Sequence, residues 1–510
     1  MAARRFDVIV AGGGPAGSVM AWDLARRGVA VLLLERARFP REKVCGDYVE
    51  PRGLRILDMM GCLGPLEASY RLPITESSMY VEGECRYRGA IPFYDGTNGL
   101  PPHGYIVPRD VLDNALLQAA AAAGARIEQE TSVTDARLGA AGVEIESRRG
   151  TKSARRRAAL GVGADGVNSV MARSAGLLVD DERYIAVARR AYATGIDADV
   201  GEAVFWFDRS LFPGYGWMFP MAGGRVNVGI GVLAETRRRL DLQVPALFEG
   251  FMAGLRMRHP RAGGLELSST PIGGIVKTYG GAGPNHFDGG VLIGDAGSFV
   301  DPMTGEGITP AMESALLAGP VLAAALDAGR FDTHQLSAFE RAFRAYFDPA
   351  MLFLDVLAAT LRNPYLAGPW LTALAHGSEV AQADASFAST SGSFFGGLDV
   401  RPRGIMAQVW LRVVSDIMLA WPRSVGAVVG RKPARSSIGD LLGWQVGWWR
   451  SVAADPVWHA RWMMDVQRKW LHLLPSMLNP RPDPRSGGLV RDGAGGRARR
   501  TASRPIARPG

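Results

Sequence analysis

The sequence predicts a mixed α/β chain: a parallel-sheet domain, an antiparallel sheet inserted into it, and a helical C-terminal extension. Three observations predict this. A short apolar run at residues 6–11 is followed at once by glycines, a helical stretch and a second apolar run. Segments around 77–91 and 186–233 alternate in the manner of strands and are broken by Gly and Pro. Beyond residue 345, Trp, Leu and Met recur at helical spacing.

Residues 6–11 (FDVIVA) have the continuous apolar character of a strand buried on both faces. Residues 15–27 then place Val19, Met20 and Leu24 on one helical face, and Gly28 supplies the usual C-terminal glycine. Residues 29–34 (VAVLLL) form a second buried strand, with Glu35 directly after it. Strand, helix and strand in this order make a βαβ opening. Residues 109–124 form a helix that returns to this first domain, 128–145 are strand material, and 148–157 form a basic, solvated hairpin tip. Short strands at 160–164 and 290–293 and a helix over about 309–327 complete it. The first domain is therefore discontinuous: 1–75, 100–180 and 280–345. The inserted sheet takes 76–99 and 181–279. Residues 346–480 are helical, with eight Trp between 410 and 470 and a Ser/Gly/Ala linker at 385–397.

The net charge of +8 comes mostly from the tail. Residues 481–510 hold eight Arg and two Asp, which leaves the rest of the chain near +2. The folded body lacks the basic footprint of a nucleic-acid-binding protein. The tail is rich in Gly and Pro and is expected to be disordered. Three cysteines without C-x-x-C spacing and seven scattered His argue against a disulfide framework and against a metal centre. No apolar run of about 18 residues is free of charge, and the N-terminal apolar stretch is too short for a signal peptide. The expectation is a cytoplasmic enzyme.

Two glycine-rich loops carry chemistry. In Gly12-x-Gly14-x-Ala16-Gly17, the first glycine permits a tight turn and the second removes a side chain from the path of a diphosphate. The third lets helix and strand pack closely, and the helix N-terminus offers free N–H groups to the anion. Glu35, with Arg36 beside it, lies at the end of the second strand, where a carboxylate can accept hydrogen bonds from a ribose. The second loop is Gly294-Asp295-Ala296-Gly297, followed by Gly305-Glu306-Gly307-Ile308. A carboxylate at a strand end can bind a polyol. The glycines admit backbone N–H groups to a ring that gains electron density on reduction, and the following helix adds its positive end.

These loops, together with Asp165-Gly166 in GADGVNS and the GDA of LIGDAG, resemble the aromatic-hydroxylase type of FAD protein. Within that superfamily the chain is similar to the geranylgeranyl reductase family. Pro40-Arg41-Glu42-Lys43-Val44-Cys45-Gly46 resembles its P-x-x-K-x-C-G segment. Tyr215-Gly216-Trp217-Met218-Phe219-Pro220 resembles its Y-x-W-x-F-P motif, and Gly229-Ile230-Gly231 the G-x-G that follows. The likeness covers roughly residues 5–345.

The resemblance implies bound FAD, held by Gly12, Gly14, Ala16, Gly17, Glu35, Arg36, Asp165, Gly294, Asp295, Gly305, Gly307 and Ile308. It implies Arg109 on the diphosphate and the Val133 backbone at the adenine. Cys45 would lie near the isoalloxazine, with Tyr215 and Trp217 lining the substrate cavity. The implied reaction is reduction of a carbon–carbon double bond in a prenyl chain or similar apolar substrate, with NADPH as a transient donor or a small electron carrier in its place. Peripheral membrane contact through the Trp-rich C-terminal region goes with such a substrate. The alternatives are a flavin monooxygenase acting on an aromatic or polyketide-like compound, a flavin halogenase and a non-enzymatic flavin or lipid binder. Each residue has a plainer structural reading too: Tyr215 and Trp217 as core aromatics, Cys45 as a small buried residue.

Overall fold

The computed structural model describes residues 6–70, 72–90, 100–196, 201–388 and 447–478. The opening residues fold as β1 (Val8–Ala11), α1 (Pro15–Arg26) and β2 (Val31–Leu34). All eight strand residues are buried, as a parallel sheet covered on both faces requires. Gly28 follows α1 at φ +80°, a conformation that favours glycine.

β1 is central to a six-stranded sheet. It pairs in parallel with β2 on one side and with Leu160–Gly163 on the other. Arg126–Glu128 extends the sheet beyond β2, and Gly290–Leu292 and His286–Phe287 extend it beyond Leu160–Gly163. Only the last pair is antiparallel. The helices Arg109–Ala122 and Ile308–Ala328 pack on α1. Ile308–Ala328 is the one described helix long and apolar enough to cross a membrane, and about two thirds of its apolar window is buried inside the protein. Ser132–Arg137, Val143–Arg149 and Lys152–Ala158 make a separate three-stranded antiparallel sheet.

The inserted sheet has eight strands. Ile185–Thr194, Arg225–Leu233, Tyr215–Met221 and Glu202–Phe207 run in antiparallel succession. The expectation of a purely antiparallel sheet is corrected at one seam, where Glu202–Phe207 pairs in parallel with Glu76–Val81. These two segments enter the sheet on separate excursions from the first domain, so no hairpin dictates their direction. Residues 181–279 also contain the helices Ala234–Arg239 and Val244–Arg258, which the strand reading passed over. In the second, Phe248, Phe251, Met252 and Leu255 recur at helical spacing and are buried against the sheet.

The boundary drawn at 345/346 falls inside one continuous helix, Thr333–Leu361. Asp332 caps it by accepting the Gln335 N–H at 2.9 Å. Its buried residues Leu336, Phe339, Phe343, Phe347, Met351 and Leu354 keep one period across the boundary. Pro456–Leu478 packs on this helix. Buried ion pairs fasten it, Arg362 to Asp465 and Lys469 to Asp355. The Trp462 indole N–H donates to the Ala359 carbonyl at 2.8 Å. Trp458, Trp462 and Trp470 are partly buried, and Trp449 is exposed. Trp410, Trp421, Trp444, most of the 385–397 linker and the 481–510 tail lie outside the described residues.

Candidate functional site

The glycines of the first loop separate into two kinds. A Cβ on Gly12 would stand 2.3 Å from the Ala164 carbonyl oxygen, and one on Gly17 would stand 1.9 Å from that of Gly12. Those two glycines are required by the packing of the chain itself. At Gly14 the nearest atom to such a Cβ is a guanidinium nitrogen of Arg41, 3.8 Å away, and the backbone (φ −70°, ψ −174°) suits any residue. Gly14 therefore keeps open a space that the protein does not fill. It is also the N-cap of α1 and makes no side-chain cap, so the helix N–H groups face that space. The Gly13 N–H and the Ala37 N–H each donate to one oxygen of Glu35, at 2.7 Å, which ties the loop to the end of β2. A cradle of this form fits the diphosphate of FAD.

The second loop lies across the cavity from the inserted sheet. Gly305 has φ +69° with open space around it, and Ile308–Ala328 begins after Gly307; the Glu306 carboxylate accepts the Thr309 N–H of its first turn at 2.8 Å. Asp301 holds the turn by accepting the N–H groups of Met303 and Thr304 at 2.7 and 2.9 Å. The Tyr215 hydroxyl donates to the Thr304 carbonyl, which joins the aromatic strand to this loop.

Between the loops lies a cavity of about 200 Å³. Cys45, Arg109, Tyr215, Trp217, Asp295 and Gly305 are among its lining residues, as are Gly307 and Ile308. Phe205, Tyr215, Trp217 and Phe219 form its aromatic wall, with ring centroids 5.4 to 6.2 Å apart. The G-x-G segment explains how Trp217 lies there. Gly229 is its cross-strand partner, and a Cβ on Gly229 would stand 2.2 Å from the indole. The ring lies flat in the slot that this glycine leaves.

A buried polar chain anchors the same indole. The Trp217 N–H donates to Asn227 Oδ1 at 2.9 Å, and Asn227 Nδ2 donates to Asp47 Oδ2 at 2.8 Å and to the Cys45 carbonyl at 2.9 Å. The Tyr192 hydroxyl donates to the same Asp47 oxygen at 2.6 Å. The Arg190 guanidinium stacks on Tyr192, 4.3 Å from its centroid, and donates to the Lys43 carbonyl. Aromatic wall and cysteine loop are thus one hydrogen-bonded unit. Asp47 is fully buried; loss of hydration pushes its carboxyl up to about 6, and the bonds from Tyr192 and Asn227 hold it from rising further. Burial also raises the Cys45 thiol, against the opposing pull of Arg109.

The remaining sequence-predicted residues take other positions. Arg109 is buried and makes a bidentate pair with Asp113 at 2.7 and 2.8 Å, and Arg41 reaches the same carboxylate at 2.9 Å. Asp165 accepts from Ser169 and from the Val170 and Met171 N–H groups, in the role of a local helix cap. Asp295 faces Lys43 at 3.5 Å. Gly294 N–H donates to Ser314, and a Cβ on Gly294 would stand 2.9 Å from that of Ala16. Val133 sits at a bulge where the ladder skips Thr134. Arg36 is exposed. Sequence reasoning missed Asp47 and Asn227, and it missed Glu50 and Glu306 as further residues lining the cavity. The only signal for Asn227 was a polar residue in the middle of an apolar strand.

Comparison with known proteins agrees with this geometry. Residues 5–215 match the FAD binding domain, and residues 184–257 match the geranylgeranyl reductase catalytic domain. The chain is 33% identical to a menaquinone reductase of Mycolicibacterium smegmatis, over 62% of this chain and 76% of the relative. It is 30% identical to digeranylgeranylglycerophospholipid reductase 1 of Methanopyrus kandleri, over 69% of this chain and 91% of the relative. Among solved structures, a geranylgeranyl bacteriochlorophyll reductase-like protein from Thermoplasma acidophilum shares the fold. Its TM-score is 0.67 at 23% identity, covering 80% of this chain and 99% of that one. A flavin-dependent brominase shares the fold as well, with a TM-score of 0.63 at 18% identity, covering 82% and 100%. With its FAD-binding domain, its catalytic-domain match and relatives aligned over most of their length, the chain belongs to the geranylgeranyl reductase family of FAD-dependent oxidoreductases.

Proposed function

We propose that this enzyme reduces carbon–carbon double bonds in the polyprenyl chain of an apolar lipid or quinone. FAD, once bound and reduced, supplies the hydride. The observation that carries the reading is the aromatic wall, which is built onto the cysteine loop and faces both glycine loops across one cavity. Aromatic faces suit an apolar chain, and they stabilise the partial positive charge that develops when an isolated double bond is protonated. The names of the relatives support the same class, because a menaquinone and a digeranylgeranyl lipid share a polyprenyl chain. Arg109 and the helix N-termini hold the cofactor in this reading, and Trp217 and Tyr215 hold the substrate. Mass spectrometry of isoprenoid lipids from cells with and without the protein tests it. A gain of two hydrogens per reduced bond is expected. Substrate-coupled oxygen consumption with an added oxygen atom would replace this reading with a monooxygenase.

Membrane contact forms part of the proposal, at the cytoplasmic face. A prenyl chain gains about 0.8 kcal/mol per CH₂ from either a protein cavity or a bilayer, so the enzyme must meet its substrate where the chain resides. Among the described residues, Val457, Met464 and Leu471 form an exposed stripe at seven-residue spacing on the outer face of Pro456–Leu478. Arg461 and Arg468 lie on the same exposed side. Met464→Glu with Leu471→Glu is expected to abolish flotation with anionic vesicles.

A further inference from the structure

At the rim of the space that Gly14 keeps open stands Arg41, a residue that the proposed function leaves without a task. It follows β2 in the chain, on a segment that the Gln129 side chain anchors by accepting the Phe39 N–H at 2.6 Å. The Arg41 guanidinium lies over the Phe39 ring, 4.8 Å from its centroid. Its two terminal nitrogens have different surroundings. Nη1 stands 2.9 Å from Asp113 Oδ2, an ion pair without the alignment of a hydrogen bond. Nη2 is the atom that lies 3.8 Å from a Cβ built on Gly14. Among the described residues, Asp113 is the one acid within ion-pair distance of Arg41.

The charges at this point do not cancel. The Asp113 side chain is fully buried and already holds Arg109 through both of its oxygens, at 2.7 and 2.8 Å. Two guanidiniums, 19% and 5% exposed, therefore share one carboxylate. Glu35, the other acid of this loop, has its oxygens committed to the Gly13 and Ala37 N–H groups. The Cys45 thiol beside Arg109 stays neutral, because burial raises it. One positive charge is left over in a place largely withdrawn from water, where an uncompensated ion is strongly disfavoured. It stands beside the uncapped N-terminus of α1, which adds about half a charge of the same sign. A dianionic diphosphate complements both.

We infer that Arg41 clamps the FAD diphosphate, with Nη1 anchored on Asp113 and Nη2 presented to a phosphate oxygen. Asp113 is the positioning residue: one buried carboxylate orients Arg41 and Arg109 together. A guanidinium suits this task because its planar fork carries donors at two ends, whereas an ammonium has a single charged centre. The inference rests on the placement of the diphosphate at Gly14 and is independent of the substrate.

The test strips the full chain of FAD and titrates it back, with quenching of flavin fluorescence as the readout. Arg41→Gln is expected to raise the Kd for FAD roughly 10- to 100-fold, the range of a lost charge-assisted hydrogen bond. Arg41→Met, which keeps the packing on Phe39, carries the same expectation if Arg41→Gln does not fold. Arg41→Lys should recover part of the affinity, since it keeps the charge and loses the fork. Added salt should weaken FAD binding more in the native protein than in Arg41→Gln, because the variant lacks one screened ion pair. Thermal unfolding of the apoproteins accompanies the titration. An Arg41 that serves only the fold would lower the apoprotein melting temperature and leave Kd and salt dependence at native values, and this result would overturn the inference. Gly14→Ala isolates the shared premise. If it weakens FAD and Arg41→Gln does not, the placement stands and the Arg41 assignment alone falls. If Gly14→Ala binds FAD as tightly as the native chain, the diphosphate lies elsewhere, and the clamp falls with the placement.

Discussion

Replacing Gly14 by Ala separates the needs of the fold from those of the cofactor. The new methyl would meet no protein atom nearer than 3.8 Å, and that atom is a guanidinium nitrogen of Arg41. The apoprotein should therefore keep its stability. The diphosphate that approaches this backbone would meet the methyl directly. An overpacked contact costs about 1–3 kcal/mol, so FAD affinity should fall roughly 5- to 150-fold, and Gly14→Val should empty the site. Gly17→Ala supplies the contrast. Its methyl would stand 1.9 Å from the Gly12 carbonyl oxygen, so the turn must open and the protein itself loses stability. Thermal unfolding of each apoprotein reads the first effect, and quenching of flavin fluorescence on titration with FAD reads the second. The reasoning fails if Gly14→Ala binds FAD as tightly as the native chain, or if it lowers the melting temperature as much as Gly17→Ala does.

Gly229→Ala should push the Trp217 indole out of its slot and break its bond to Asn227, at about 1–3 kcal/mol for the unpaired buried amide. Tryptophan emission should shift and turnover should drop while FAD remains; Trp217→Ala should do the same to turnover. Unchanged emission in Gly229→Ala would refute the slot. The Asp47 carboxyl is raised from 3.8 to about 6, so the folded state keeps a proton that the unfolded chain has released. Its contribution to stability is full below pH 3.8 and is lost as pH rises through about 6, in total about 3 kcal/mol. Denaturant titrations should show this slope in the native protein and its loss in Asp47→Asn; parallel pH profiles would refute it. Finally, a thiol reagent at neutral pH should label Cys85, which is exposed, well before Cys45, whose thiol burial raises. Mass mapping of the labelled peptides checks the order.

The parts of this molecule legible in its sequence are those with a local signature. β1, α1 and β2 follow from continuous apolar runs and from glycines whose spacing has a steric cause, and the structure makes that cause visible at Gly12 and Gly17. The aromatic strand was legible as a motif, but its reason was not: Gly229 matters because it lies opposite Trp217, which only the strand register reveals. Asp47 and Asn227 lie 180 positions apart, and Asp47 and Tyr192 lie 145 apart. Single polar residues at such separations carry no periodicity, so nothing local announces that they meet. The parallel seam escaped notice because side-chain alternation is the same in either strand direction.

That seam limits how the molecule can be divided. Glu202–Phe207 forms its outer ladder with residues more than a hundred positions earlier in the chain. A fragment covering only 181–279 would leave this strand with an open row of backbone donors and acceptors beside apolar Val204, Phe205 and Trp206. Such a fragment invites edge-to-edge association. Excision or domain exchange in this protein must therefore carry the first ninety residues along with the later piece, since the cavity wall is woven from both.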